Sequence, residues 1–116
     1  MPLKIACVRI TGFYKNKSLG ILFPEDSEIL KQITKYCFKK NIKIVPQGGN
    51  TSLTGASVPT YDNQEIIINF SKMNKILEID KSNLTVLVES GLVLSDLKNY
   101  LDKENLYFPI DLSSSG

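Results

Sequence analysis

The strongest constraint on this chain is a strand–helix–strand pattern with very short joints, lying between Leu19 and Val45. Residues 19–23 form a short apolar run closed by Pro24, the mark of a buried strand. Asp26 offers a side-chain oxygen to the first N–H groups of a helix, and Glu28 puts negative charge where the helix dipole favours it. Ile29, Leu30, Ile33, Tyr36 and Cys37 then recur at helical spacing, predicting one buried face on a helix that stops near Asn41. Residues 42–45 supply a second strand, and two strands joined through a helix by such short joints are predicted to be parallel.

Downstream the pattern changes. Pro46 is predicted to end the second strand, and residues 47–59 show neither strand nor helix periodicity. Ile66, Ile67 and Ile68 read as a third buried strand. Residues 76–79, the turn Asp80-Lys81-Ser82-Asn83 and residues 84–88 predict a hairpin. Leu94, Leu97, Tyr100 and Leu101 mark a second amphipathic helix, with Asn105 in the left-handed position just past its end. Residues 106–109 open another extended segment. The expected fold class is α+β: a parallel βαβ start that continues into antiparallel strands. At 116 residues there is room for one domain over 1–116, in which residues 1–17 are weakly patterned.

Composition narrows the function classes. The hydrophobic fraction of 42% and the charged fraction of 22% belong to a globular domain and argue against disorder. The net charge is +2 with scattered lysines, and Lys39 and Lys40 fall at a helix end, so no nucleic-acid surface is expected. No stretch approaches the ~18 apolar residues of a spanning helix, and no membrane association is expected. Residues 1–10 lack the core of a signal peptide, which together with unpaired thiols reads as cytoplasmic. Cys7 and Cys37 have no metal spacing, and Cys37 reads as a small buried hydrophobe. Histidine is absent, which removes a histidine base, a histidine-ligated metal and covalent cofactor attachment through histidine.

The chemistry-bearing stretch runs from Pro46 to Pro59 and contains Gln47, Gly48, Gly49, Asn50, Thr51, Ser52, Thr54 and Gly55. A loop leaving the carboxyl end of a parallel strand is where α/β proteins usually bind ligands. Gly48 and Gly49 let the backbone approach a guest, and successive N–H groups in such a turn form a nest for an anion. The loop has no Walker lysine and no GxGxxG spacing. Two readings of the residues stay open: a phosphate or pyrophosphate site, and a bare surface turn.

Pro46-Gln47-Gly48-Gly49-Asn50-Thr51, with Gly55 and Val58-Pro59, resembles the first FAD loop of the vanillyl-alcohol-oxidase type flavoproteins. Within that superfamily the chain is most similar to the branch of the glycolate oxidase flavin subunit, D-lactate dehydrogenase and D-2-hydroxyglutarate dehydrogenase. Residues 20–24 with the following helix look like that branch's entry unit. Met73-Asn74-Lys75-Ile76, Val88-Glu89-Ser90-Gly91 and Phe108-Pro109-Ile110-Asp111-Leu112 resemble three further segments in order and spacing.

The resemblance implies non-covalent FAD, its pyrophosphate bound by backbone amides of Gln47, Gly48, Gly49, Asn50, Thr51 and Ser52. Pro46 would fix the loop's departure and Gly55 its close packing. Pro109, Asp111 and Ser114 fall where the family's second FAD-contacting segment begins. No catalytic or metal-binding residue is assigned. Gly91 is read as a turn glycine, Glu89 as an exposed or capping carboxylate and Met73 as core filler. Where the family often has a second glycine, this chain has Ala56, which is expected to weaken the loop if that position needs a positive φ.

The reaction implied by resemblance is hydride transfer from C2 of a 2-hydroxy acid to flavin N5. The chain is expected to be catalytically incomplete alone, with weakened FAD binding, as a truncated domain, a gene remnant or one piece of an enzyme completed by a companion chain. A second expectation is a non-catalytic interaction module that self-associates or recruits a partner through uncovered sheet surface. A third, a reductase acting on a nucleotide-sugar intermediate, is disfavoured by the Met73-Asn74 and Phe108-Pro109 matches.

Overall fold

The computed structural model describes residues 17–51, 54–60 and 64–110. Its elements are β1 (Gly20–Leu22), α1 (Ser27–Lys39), β2 (Lys43–Gln47), β3 (Glu65–Asn69), β4 (Ile76–Asp80), β5 (Thr85–Val88) and α2 (Leu94–Lys103). β1, β3 and β2 form a parallel sheet in that spatial order, and β4 and β5 form an antiparallel pair. The fold is α+β, with a parallel start and an antiparallel continuation as expected.

β1 and β2 run parallel, but they are not neighbours, because β3 inserts between them. The reason lies in β3's sequence. Three consecutive isoleucines need apolar cover on both sheet faces, which a central strand receives and an edge strand does not. Ile66, Ile67 and Ile68 are all buried, with Ile67 at 0% exposure. Burial of one such side chain is worth about 1.5–3 kcal/mol. Register pairs Ile21 with Ile67 and Val45 with Ile67, so the three share one face. Val58 packs onto that face from the following loop, with Phe23 at its margin.

α1 begins as its residues require. Asp26 is the N-cap, its Oδ1 accepting from Ile29 N at 2.8 Å. The helix ends at a left-handed Asn41 (φ 53), where Ile42 N–H donates to the Cys37 carbonyl at 2.8 Å. The predicted buried face is only partly covered. Cys37 is buried, and burial pushes its thiol pKa up, while Ile29, Leu30 and Ile33 are half-buried. Tyr36 is exposed, contrary to expectation.

Two boundaries need correction. Pro46 does not end β2: it pairs in the ladder with Ile68, and Gln47 pairs with Asn69. A proline is tolerated there because β2 is an edge strand among the described residues. In the hairpin, Leu84 belongs to the turn (φ 54) and β5 starts at Thr85. Asp80 organises that turn, accepting from Ser82 N, Asn83 N and Asn83 Nδ2 at 2.9, 3.0 and 2.7 Å. The Asn83 backbone and side-chain bonds hold its carboxyl below the usual carboxylate range. This bracing is therefore complete above the ordinary carboxylate pKa and is lost as pH falls through the lowered one. α2 ends at Asn105 (φ 57), as its sequence predicts, but of its expected face it buries Leu97 and Leu101, leaves Leu94 half-buried and exposes Tyr100.

Gly91 is more than a turn residue. Leu92 N–H does close a turn onto the Glu89 carbonyl, but a Cβ on Gly91 would lie 1.8 Å from the Phe70 carbonyl oxygen and 2.9 Å from that of Met73. Its N–H donates to Met73 O at 2.8 Å, so the backbones are locked in contact. Met73 is buried, as read. Glu89 caps the same junction, its Oε2 accepting from Lys75 N at 2.8 Å. Gly91→Ala is expected to lower the unfolding free energy by about 1–3 kcal/mol, because the clash is with backbone atoms. Urea unfolding followed by circular dichroism measures it; a wild-type midpoint would show that the contact is not close.

Candidate functional site

All three strands of the parallel sheet end on one side, at Leu22, Gln47 and Asn69. The glycine-rich loop leaves β2 at that edge. Its first residue folds inward rather than out. Gln47 is buried, and its Nε2 donates to the Ser57 carbonyl at 3.1 Å across ten residues of chain. Its Oε1 accepts from Asn69 Nδ2 at 3.0 Å, and its main-chain carbonyl accepts from Phe70 N at 3.0 Å. Gln47 thus clips the two ends of the loop together and ties both to β3. A buried amide is tolerated only when both its oxygen and nitrogen are engaged, as here.

The loop's return leg is anchored as well. Ser57 is buried and its Oγ donates to Asn50 Oδ1 at 2.8 Å. Val58 N–H donates to the Gly55 carbonyl at 3.0 Å, and Val58 and Pro59 are buried. Thr60 N–H donates to the carboxylate of buried Glu65 at the start of β3.

Between these anchors lie the residues expected to meet a ligand. Gly48 and Gly49 are exposed, Asn50 is half-buried and Thr51 is exposed. Among the described residues, no acceptor is engaged by the backbone N–H of Gly48, Gly49, Asn50 or Thr51. A Cβ on Gly48 would meet nothing within 4 Å. The left-handed conformations fall at Asn50 (φ 59) and Gly55 (φ 74), whereas Gly48 has none, so its value is open space rather than special dihedrals. Ser52, Asp111 and Ser114 lie outside the described residues. Pro109 is exposed in the stretch after α2, and no hydrogen bond between described residues joins that stretch to the loop. Ser57 and Asn69 brace the loop although the sequence did not point to them. The one trace in the sequence is a polar residue, Asn69, closing the isoleucine run; its place opposite Gln47 comes from the register.

Sequence comparison now decides the family, since its FAD binding domain pattern matches residues 18–116. The chain belongs to the FAD binding domain family. In sequence it is 40% identical over 103 residues to D-2-hydroxyglutarate dehydrogenase, mitochondrial, of Arabidopsis thaliana, covering 89% of this chain and 18% of that protein. It is also 40% identical over 101 residues to the D-2-hydroxyglutarate–pyruvate transhydrogenase of Saccharomyces cerevisiae, covering 87% of this chain and 20% of that protein. The chain thus spans about a fifth of the length of these relatives.

In shape, this FAD binding domain matches alkyldihydroxyacetonephosphate synthase with a TM-score of 0.79 at 27% identity, over 90% of this chain and 21% of that one. It matches p-cresol methylhydroxylase with a TM-score of 0.70 at 27% identity, over 86% and 19%. The fold is that of the vanillyl-alcohol-oxidase and p-cresol-methylhydroxylase type, and a flavin is its cofactor class. The donor set fits such a group: neutral main-chain N–H donors beside open space suit a pyrophosphate. Among the described residues no cluster of acidic or cysteine side chains could hold a metal.

The substitution of Ala56 for the family's second glycine carries no conformational cost, because Ala56 has no positive φ and Gly55 takes that role alone. Gly55→Ala is expected to destabilise the FAD binding domain by about 1–2 kcal/mol, whereas Ala56→Gly gives no gain. Thermal unfolding of both variants checks this; stabilisation by Ala56→Gly would contradict the assignment.

Proposed function

We propose that this segment grips the pyrophosphate of FAD through the main-chain N–H groups of Gly48, Gly49, Asn50 and Thr51, with Ser52 continuing the cradle. The observation that carries this reading is the combination of an anchored loop with uncommitted donors at the carboxyl edge of a parallel sheet. Pro46 sets the loop's departure, the Gln47 amide opens the cradle at the end of β2, and Gly55 turns its return. Pro109, Asp111 and Ser114 would extend the contact along the cofactor. This segment, which contains no histidine, holds FAD without a histidyl bond of its own.

The protein to which this segment contributes is a flavin-dependent 2-hydroxyacid dehydrogenase. The support is the similarity to relatives named for D-2-hydroxyglutarate. Bound flavin supplies a hydride acceptor at N5 for C2 of the hydroxy acid. This segment's share is to fix where the cofactor lies; the groups that hold the substrate and take its proton belong to other parts of the enzyme, in the same or a companion chain. Each charge-assisted bond to pyrophosphate is worth about 1.5–3 kcal/mol, so each contact supplied elsewhere would tighten FAD about tenfold or more.

A second reading, an interaction module, draws on apolar surface. Phe38 is 90% exposed, and Leu77 and Leu87 are exposed on the hairpin. Light scattering after size exclusion separates the two; a monomer that quenches flavin fluorescence leaves only the first.

Titration of the chain into FAD, followed by flavin fluorescence, is expected to show saturable binding in the micromolar to millimolar range; no binding at millimolar protein would reject the cofactor role for the isolated chain. Gly48→Ala provides the sharper measurement. A methyl group there touches no protein, so the unfolding midpoint should not move, while FAD affinity should drop about tenfold as the added carbon fills ligand space. Unchanged affinity would mean that the guest does not approach Gly48.

A further inference from the structure

We infer that Asn69 is a positioning residue for the cofactor loop, setting the direction in which the Gly49 N–H points. The inference rests on the flavin reading for its ligand, but its geometry is independent of it.

Asn69 closes β3 directly opposite Gln47 in the ladder. Its side chain makes three bonds that together fix which way its amide faces. Ser71 N–H donates to Oδ1 at 3.0 Å, so that atom must be the oxygen. Nδ2 is then left facing two acceptors, Gln47 Oε1 at 3.0 Å and the Gly48 carbonyl at 3.4 Å. Gln47 is fixed by the same logic, since its other end meets a carbonyl, that of Ser57, and must be Nε2. A one-way relay results: Ser71 to Asn69 to Gln47 to Ser57, whose hydroxyl in turn donates to Asn50.

The contact with Gly48 links this relay to the donors. In a trans peptide the C=O of one residue and the N–H of the next point in opposite directions. The structure contains no cis peptide among the described residues. Drawing the Gly48 carbonyl toward Asn69 therefore turns the Gly49 N–H away from β3. That N–H has no acceptor among the described residues. Gly48 has open space beside it and no Cβ to resist rotation, so the peptide needs an external hold. Asn69 provides it from a strand whose preceding residues are buried.

Two substitutions test this in the full chain. Asn69→Asp keeps an oxygen for Ser71 N–H but presents a carboxylate to the Gln47 and Gly48 oxygens, turning attraction into repulsion. Asn69→Ser keeps a short acceptor and cannot reach Gln47. In both variants, 15N relaxation should show the order parameters of Gly48, Gly49 and Asn50 falling from about 0.85 toward 0.6 or below, while Ile66, Ile67 and Ile68 stay rigid. FAD affinity by fluorescence titration should fall about tenfold, and Gln47→Ala combined with Asn69→Ser should lose no more than the worse single variant. Unchanged loop order in both variants would overturn the inference, as would equal loss of order in Ile66, Ile67 and Ile68, which would make Asn69 part of the sheet's stability instead. If the wild-type chain binds no FAD while the loop order parameters respond as described, the positioning role stands and the flavin reading falls.

Discussion

The register between β2 and β3 is the constraint from which both core and site follow. It places Val45 beside Ile67 and, two residues on, Gln47 beside Asn69. Side chains alternate along a strand, so a slip of one residue would turn Val45 away from the core face and separate the two amides. Ile67, completely buried, resists such a slip by its own need for cover. The apolar pairing thus decides the polar one. The loop inherits its geometry from the isoleucines rather than from its own glycines.

Much of the scaffold could be read directly from the residues because local chemistry was unambiguous. Asp26 before an amphipathic run, Asn41 and Asn105 after two of them, and Asp80 opening a polar turn each have one conformation that satisfies their neighbours. Relations between distant segments were harder to read. Nothing in residues 42–47 announces that β3 will lie between β1 and β2, and a proline at Pro46 reads as a strand end unless the strand is known to be an edge. Gly91 shows the same limit. Its turn was visible, but the Phe70 carbonyl that forbids a side chain comes from 21 positions earlier, across the hairpin.

In the site, the glycines drew attention to this loop through the close approach they allow, and the open space beside Gly48 agrees with that reading, while the described left-handed positions in this segment are Asn50 and Gly55. Asparagine carries such a conformation at lower cost than most residues, and here Ser57 also holds its side chain. Ser57 and Asn69 escaped notice because a serine in a polar loop and an asparagine after a strand are ordinary in sequence. Their role exists only once β2 and β3 are side by side.

Neutral donors impose a particular demand on such a loop. A lysine attracts an anion from several directions, whereas an N–H dipole acts only along its own axis, so misdirected donors contribute little. An anion site built from main-chain groups must therefore hold its backbone before the guest arrives, or lose binding energy in ordering it. Under the proposed pyrophosphate role, that requirement would account for the otherwise costly burial of Gln47 and Ser57 beneath an exposed loop. Among the described residues no buried side-chain nitrogen or oxygen lacks a partner, so the network imposes no unpaired-group penalty. Polar side chains that would weaken a core elsewhere here convert the rigidity of β3 into fixed directions for the donors above it.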